Sequence, residues 1–161
     1  MSSEVLGTNQ RHERTLGKLA TMLPPILQEV GAQLSPEAKI LDFGCGDGQF
    51  VELLRKEGFL NTLGADFKSE LPPQPTHYVS QIRESPYRLP FPDEEFDLVV
   101  SFSVFEHVMD YELAIAEIFR VLKTGGSTLH IFPSRYSLFE PHVNVPLAPV
   151  LRPMKWLTFW A

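Results

Sequence analysis

Three glycines separated by single residues, Gly44, Gly46 and Gly48, lie between two carboxylates, Asp42 and Asp47, with the lone thiol Cys45 among them. Glycines at this spacing let a backbone turn sharply and approach a ligand with no Cβ in the way. The pattern is GxGxG, not the GxGxxG that presents a helix N-terminus to a pyrophosphate. Two flanking carboxylates would repel a diphosphate and suit a cation, an ammonium or a sulfonium. A third acid, Asp66, stands 22 residues beyond Gly44. A carboxylate so spaced, at the end of a second strand, accepts both hydroxyls of a ribose. Alone, the loop also admits the reading of a plain tight turn, and a lone Asp66 reads first as a surface acid; joined at this spacing, they read as a nucleoside site.

These residues need strand ends to hold them. Residues 39–43 form a short apolar run entering the glycines, which predicts a buried strand. Phe50, Val51, Leu53 and Leu54 follow at helical spacing, with Gly58 as the stop. Further strands are predicted over 60–65, 76–82, 96–101 and 127–132. Between the last two, a helix is predicted over 110–123 with Leu113, Ile115, Ala116, Ile118, Phe119 and Leu122 inward, ended by Gly125-Gly126. Ahead of the first strand, residues 1–8 read as a loose terminus. Leu16, Leu19, Ala20 and Leu23 predict a helix over 10–23, broken by Pro24-Pro25 and followed by a short turn over 26–30. Strands alternating with helices predict an α/β fold: a doubly wound, mostly parallel sheet of about five strands with helices on both faces.

Composition bounds the rest. A chain of 161 residues is one domain's worth of core, and 43% apolar with 21% charged residues is ordinary globular composition. The net charge of −6 argues against non-specific nucleic-acid binding, which needs a basic face. One cysteine excludes an internal disulfide framework and fits a reducing compartment. No basic-then-apolar leader opens the chain, and no run reaches the roughly 18 apolar residues of a membrane span. The expectation is a cytoplasmic protein with no nucleic-acid partner and no stable membrane span.

Taken in register, Ile40-Leu41-Asp42-Phe43-Gly44-Cys45-Gly46-Asp47-Gly48, Asp66 and Leu89-Pro90-Phe91-Pro92-Asp93-Glu94-Glu95-Phe96-Asp97-Leu98-Val99-Val100-Ser101 resemble the class I S-adenosylmethionine-dependent methyltransferases, nearest to their type 11 branch. Ser103-Val104-Phe105-Glu106-His107-Val108 and Val121-Leu122-Lys123-Thr124-Gly125-Gly126 continue the likeness over about residues 38–133, with Thr124 where the family usually has proline. The resemblance implies S-adenosyl-L-methionine as cofactor. It implies that Asp42, Gly44, Cys45 and Gly46 hold its methionine end, that Asp66 binds ribose and that Phe67 lies beside the adenine. Ile82 would pack on the ring and Glu84, or its neighbour Ser85, would meet the adenine amino group. Ser101 and Phe102 would lie near the transferring methyl.

His107 and His142 are the acceptor-side candidates for a base, His107 following the fourth strand and His142 lying in a segment that faces the acceptor in this family. His107 also reads as a residue that caps or packs the next helix, and His130 as one packed in or beside the sheet. Glu106-His107 is not expected to bind metal, because Ser103 stands where metal-using relatives have a first glutamate. The expected division is a helical lead over 1–37, a cofactor-binding core over 38–133 and a proline-rich apolar tail over 134–161. The tail reads as an acceptor-side lid, an interfacial segment or packing for residues beyond this chain. The function implied is methyl transfer to a small, apolar-bodied acceptor; the alternative is a non-catalytic S-adenosylmethionine-binding domain or an inactive fragment of a longer methyltransferase. A nicotinamide dehydrogenase is disfavoured by the loop spacing. The family sheet has seven strands and this chain offers five, so the fifth is expected as an edge that the tail or a second copy in a homodimer would cover.

Overall fold

Every side chain of Ile40–Phe43 is buried, the signature of a strand covered on both faces. This strand, β1, is the middle of the sheet in the computed structural model, which describes residues 3–29, 34–67, 78–84, 86–131, 139–140 and 145–146. The main chain forms α1 (Ser3–Glu29), β1, α2 (Gln49–Lys56), β2 (Thr62–Asp66) and β3 (Val79–Gln81). A small ribbon of β4 (Arg83–Glu84) and β5 (Tyr87–Arg88) follows, then β6 (Phe96–Phe102), a 3-10 turn at Phe105–His107, α3 (Tyr111–Val121) and β7 (Leu122–Ile131). The five-stranded sheet has the order β3-β2-β1-β6-β7. β1 runs parallel to both β2 and β6, with Asp42 opposite Gly64 on one side and Val100 on the other. β2 is likewise parallel to β3. The order turns back at β1, which makes its carboxyl end the switch point where open α/β sheets take ligands.

Alternation along the strands feeds two cores. Ile40, Leu98 and Val100 pack with Phe50 and Leu54 of α2 and with Leu16, Ala20, Leu23 and Leu27 of α1. Leu41, Phe43 and Val99 pack on the other face with Ala114, Ile118 and Val121 of α3. Helices therefore cover both faces of a mostly parallel sheet. Residues 131–161 form a second unit, in which β8 (Phe139–Glu140) pairs antiparallel with β9 (Val145–Pro146). No helix among the described residues is long and apolar enough to cross a membrane.

Three local expectations are corrected. The lead is one helix from Ser3 to Glu29, not a loose terminus and two helical pieces, and it runs through Pro24 and Pro25. Both prolines face solvent, while Leu23 and Leu27 on either side are almost wholly buried. Burying those leucines, at roughly 1.5–3 kcal/mol each, works against the roughly 3 kcal/mol that each of the two interior prolines costs. The later helix ends at Val121, well before Gly125-Gly126, and β7 begins at Leu122. Its last carbonyls have partners: the Glu94 and Glu95 amides donate to the Arg120 and Val121 oxygens at 2.9 and 2.8 Å, so the helix closes there. Its buried face is Ala114, Ile118 and Val121; Leu113, Ile115 and Phe119 are exposed, Phe119 by 69%. Apolar residues surround most of this helix, so periodicity alone did not select the face that the small Ala114 lets approach the sheet.

The third strand, read over 76–82, spans Val79–Gln81; residues 76 and 77 and the proline-rich link 71–75 lie outside the described residues.

Candidate functional site

The loop after β1 is laid against the end of β2. The Ala65 carbonyl accepts from both Gly44 N (2.7 Å) and Cys45 N (3.2 Å). Gly46 N donates to Asp66 Oδ2 at 2.7 Å, so the carboxylate that ends β2 also fixes the loop after β1. Two glycines make this approach possible. A Cβ on Gly44 (φ +76°) would fall 2.4 Å from a Val104 methyl, and one on Gly64 would fall 2.5 Å from Cys45 Sγ. Gly48, at φ 82°, opens α2, and Asp47 turns outward to Gln49, whose Nε2 donates to Asp47 Oδ2 at 3.0 Å.

The two carboxylates flanking the loop are therefore unequal. Asp47 is exposed and engaged, whereas Asp42 is 3% exposed, and among the described residues no hydrogen bond reaches its carboxyl group. Burial, reinforced by the negative charge of Asp66, pushes Asp42 from 3.8 up to about 7. The same burial, with Asp42 and Asp66 adding to it, holds the Cys45 thiol far above its usual range. Cys45 is thus a packed neutral thiol rather than a nucleophile.

Beyond Asp66 the backbone leads to Phe67, whose ring lies 5.5 Å from that of Tyr87. Phe67 and Tyr87 form one wall of a cleft of about 400 Å³, closed by Val104, His107, Val108, Met109 and Asp110. The structure thus brings together Phe67 and His107, two residues the sequence placed on opposite sides of a reaction. Asp110 caps α3 by accepting from Leu113 N at 3.0 Å. The Tyr87 hydroxyl is buried with no hydrogen-bond partner among the described residues; burial, then Glu117 and Asp110, push it up to about 12.

The other predicted residues have defined places. Ile82 is 2% exposed and belongs to the core on the α3 face, and its amide donates to the Asp66 carbonyl at 2.8 Å. Glu84 pairs with Tyr87 in the β4–β5 ribbon. Ser101 is buried, with Oγ 2.8 Å from His130 Nδ1, and burial lowers the pKa of His130. Phe102 meets Phe50 of α2 edge to face at 4.5 Å. Ser85 and His142 lie outside the described residues, as does most of the apolar tail.

Sequence reasoning missed Tyr87, Val104 and Asp110 as cleft residues, and Gly64 as the seat of Cys45. A glycine inside a strand marks a close approach, and that was the available signal for Gly64. It also missed a clasp behind the cleft. Arg120 binds Glu117 and Asp93, each at 2.7 Å, and donates to the Leu89 and Phe91 carbonyls at 3.0 and 2.8 Å, while Glu117 accepts from Leu89 N. The Arg120 hydrogen bond holds Glu117 below the usual carboxylate range.

Residues 41–130 match the family described as a methyltransferase domain. A probable S-adenosylmethionine-dependent methyltransferase of Mycolicibacterium smegmatis is 34% identical over 120 residues, covering 68% of this chain and 43% of that protein. Another, from Mycobacterium tuberculosis, is 29% identical over 132 residues, covering 76% and 46%. The chain thus spans less than half the length of these curated relatives. Among solved structures, a SAM-dependent methyltransferase from Aquifex aeolicus superposes with a TM-score of 0.58 at 16% identity, over 92% of this chain and 84% of that one, a likeness of fold.

Proposed function

The chain belongs to the class I S-adenosylmethionine-dependent methyltransferase family, and from that premise we propose that it binds S-adenosyl-L-methionine at the β1–β2 carboxyl ends and transfers the methyl group to a small, apolar-bodied acceptor. The observation that carries this reading is the joining of the glycine loop to Asp66 beside the buried, donorless Asp42. That arrangement offers acidic oxygens and glycine backbone, with no cationic side chain bonded to it among the described residues.

The bound cofactor would supply a methyl already activated on a sulfonium, so the protein needs no covalent intermediate. Asp42, with the backbone of Gly44, Cys45 and Gly46, holds the cationic methionine end. Asp66 takes the ribose hydroxyls, and Phe67 lies against the adenine, with Glu84 the candidate partner for its amino group. Ile82 backs this wall from the core, and Ser101 and Phe102, fixed by His130 and Phe50, set the floor. The residues align acceptor, methyl and sulfur and exclude water, which is where most of the rate in such a displacement arises. His107, on the cleft, is the acceptor-side group suited to take a proton from an acceptor hydroxyl or acidic carbon; His142 is the second candidate.

Support for an apolar acceptor body comes from the cleft lining, in which Val104, Val108 and Met109 predominate over His107 and Asp110. The second reading, a cofactor-binding domain without turnover, draws on the fraction of the relatives' length that the chain spans. Calorimetry with S-adenosylhomocysteine and with NAD tests the cofactor: heat from the first and none from the second is expected, and the reverse refutes the reading. Asp66→Ala should weaken S-adenosylhomocysteine by about 1–3 kcal/mol through lost charged hydrogen bonds; unchanged affinity would remove Asp66 from the ribose. Turnover on an acceptor panel by a chain that binds cofactor separates the two readings.

A further inference from the structure

We propose that Asp42 is a charge-selecting residue that exchanges its own proton for the cation of the ligand, so that cofactor binding releases a proton and strengthens as pH rises through neutrality. The inference rests on the cofactor site proposed above and concerns how that site reads charge.

Asp42 sits in β1 between Gly64 of β2 and Val100 of β6. Neither of these neighbours carries a donor side chain. The titratable groups that act on it are Asp66 from β2, a second carboxylate, and the Cys45 thiol from the loop, which burial keeps protonated; Asp47 turns away to Gln49. Among the described residues no lysine, arginine or histidine acts on Asp42. The loop amides are already given elsewhere, Gly44 N and Cys45 N to the Ala65 carbonyl and Gly46 N to Asp66. A carboxylate buried without a donor and beside a second carboxylate holds its proton, and burial with Asp66 places that titration near neutrality.

A ligand ammonium arriving at Asp42 supplies what the protein withholds, an opposite charge and N–H donors. The O–H bond of Asp42 then breaks, its proton leaves to solvent, and the carboxylate forms a charged hydrogen bond to the ligand. The ammonium itself keeps its protons throughout. Sign and size follow by linkage: only the deprotonated site accepts the cation, so apparent affinity grows with the deprotonated fraction. With Asp42 at about 7, roughly nine-tenths of a proton is released per ligand at pH 6, about half at pH 7 and about a tenth at pH 8. Affinity falls about tenfold from pH 8 to pH 6. A nucleoside lacking the ammonium meets no such dependence, so discrimination between the two widens as pH rises.

The test is calorimetry of the full chain with S-adenosylhomocysteine, which has the ammonium, and 5′-methylthioadenosine, which lacks it. Titrations are run at pH 6, 7 and 8 in buffers of low and high ionisation heat. Buffer-dependent heat for the first ligand only, fading toward pH 8 as its Kd tightens about tenfold, is the expected result. Binding with no proton release and flat affinity between pH 6 and pH 8 overturns the exchange while leaving the cofactor site standing. Failure of both nucleosides to bind at any pH overturns the cofactor site itself. Asp42→Asn should abolish proton release; release that persists in this variant assigns the proton elsewhere and refutes the proposal. The wild-type titrations decide the matter even if that variant does not fold.

Discussion

Replacing Gly44 by alanine adds a methyl where the fold has no room. Its φ of +76° lies in the left-handed region, which costs an L side chain about 1–2 kcal/mol. The new Cβ would fall 2.4 and 2.6 Å from the two methyls of Val104. A β-branched side chain has one preferred χ1 and cannot swing both methyls aside. Forcing one extra carbon into such a contact costs about 1–3 kcal/mol, so Gly44→Ala should lose about 2–5 kcal/mol in all. Urea denaturation followed by circular dichroism measures it, as a lower midpoint at unchanged slope. The two components separate in a double-mutant cycle. Gly44→Ala with Val104→Ala keeps the backbone cost and removes the collision, so it should be more stable than the sum of the single variants by about 1–3 kcal/mol. Additivity within about 0.5 kcal/mol, or a Gly44→Ala cost under about 1 kcal/mol, would refute the packing of the glycine loop against Val104.

Three further outcomes are expected. Asp42→Asn should stabilise the unliganded chain at pH 8: the folded-state value of about 7 lies above the ordinary 3.8, so the native state is progressively penalised as pH rises from about 4 to 7. The gain should reach roughly 4 kcal/mol at pH 8 and vanish near pH 3, and a variant no more stable than wild type in urea at pH 8 would contradict the burial argument. Arg120→Ala should cost about 3 kcal/mol, because it leaves the largely buried Glu117 without its partner; denaturation showing less than about 1 kcal/mol would make the clasp a surface ornament. His130 has a folded value below its usual 6.5, so its contribution is complete above 6.5 and lost as pH falls below it; its NMR imidazole signal should be more than half neutral at pH 6.5, and a signal more than half cationic there would overturn the buried Ser101–His130 contact.

The sheet was legible because its signals are local. Apolar runs entering the glycines, and apolar strands between turn residues, marked β1, β2 and β6 within a residue or two. Asp42, Gly44, Gly46 and Asp66 were legible for the same reason: a strand must end where its acid and glycines stand. What failed needed tertiary information. Pro24 and Pro25 read as a break because the leucines flanking them gain their burial from α2 and β1, which no local pattern displays. Gly125-Gly126 read as a helix stop because the amides that close α3 come from Glu94 and Glu95, far back in the chain. Tyr87 reached the cleft through a ribbon too short to carry a period of its own.

The cleft's two walls answer to different variables. The chain just beyond Tyr87 is held at Leu89 and Phe91 by Arg120, Glu117 and Asp93, a clasp of charges of which Asp93 is 72% exposed and Arg120 and Glu117 are largely buried. The opposite wall is held by aromatic contact, Phe105 meeting Phe43 at 6.1 Å, His130 at 4.7 Å and Tyr111 at 6.2 Å. Ionic strength screens the exposed Asp93 arm of the first far more than its buried Arg120–Glu117 pair and does not screen the second, while cooling weakens apolar burial. Salt and temperature thus act as separate handles on a single opening, each moving one side of it.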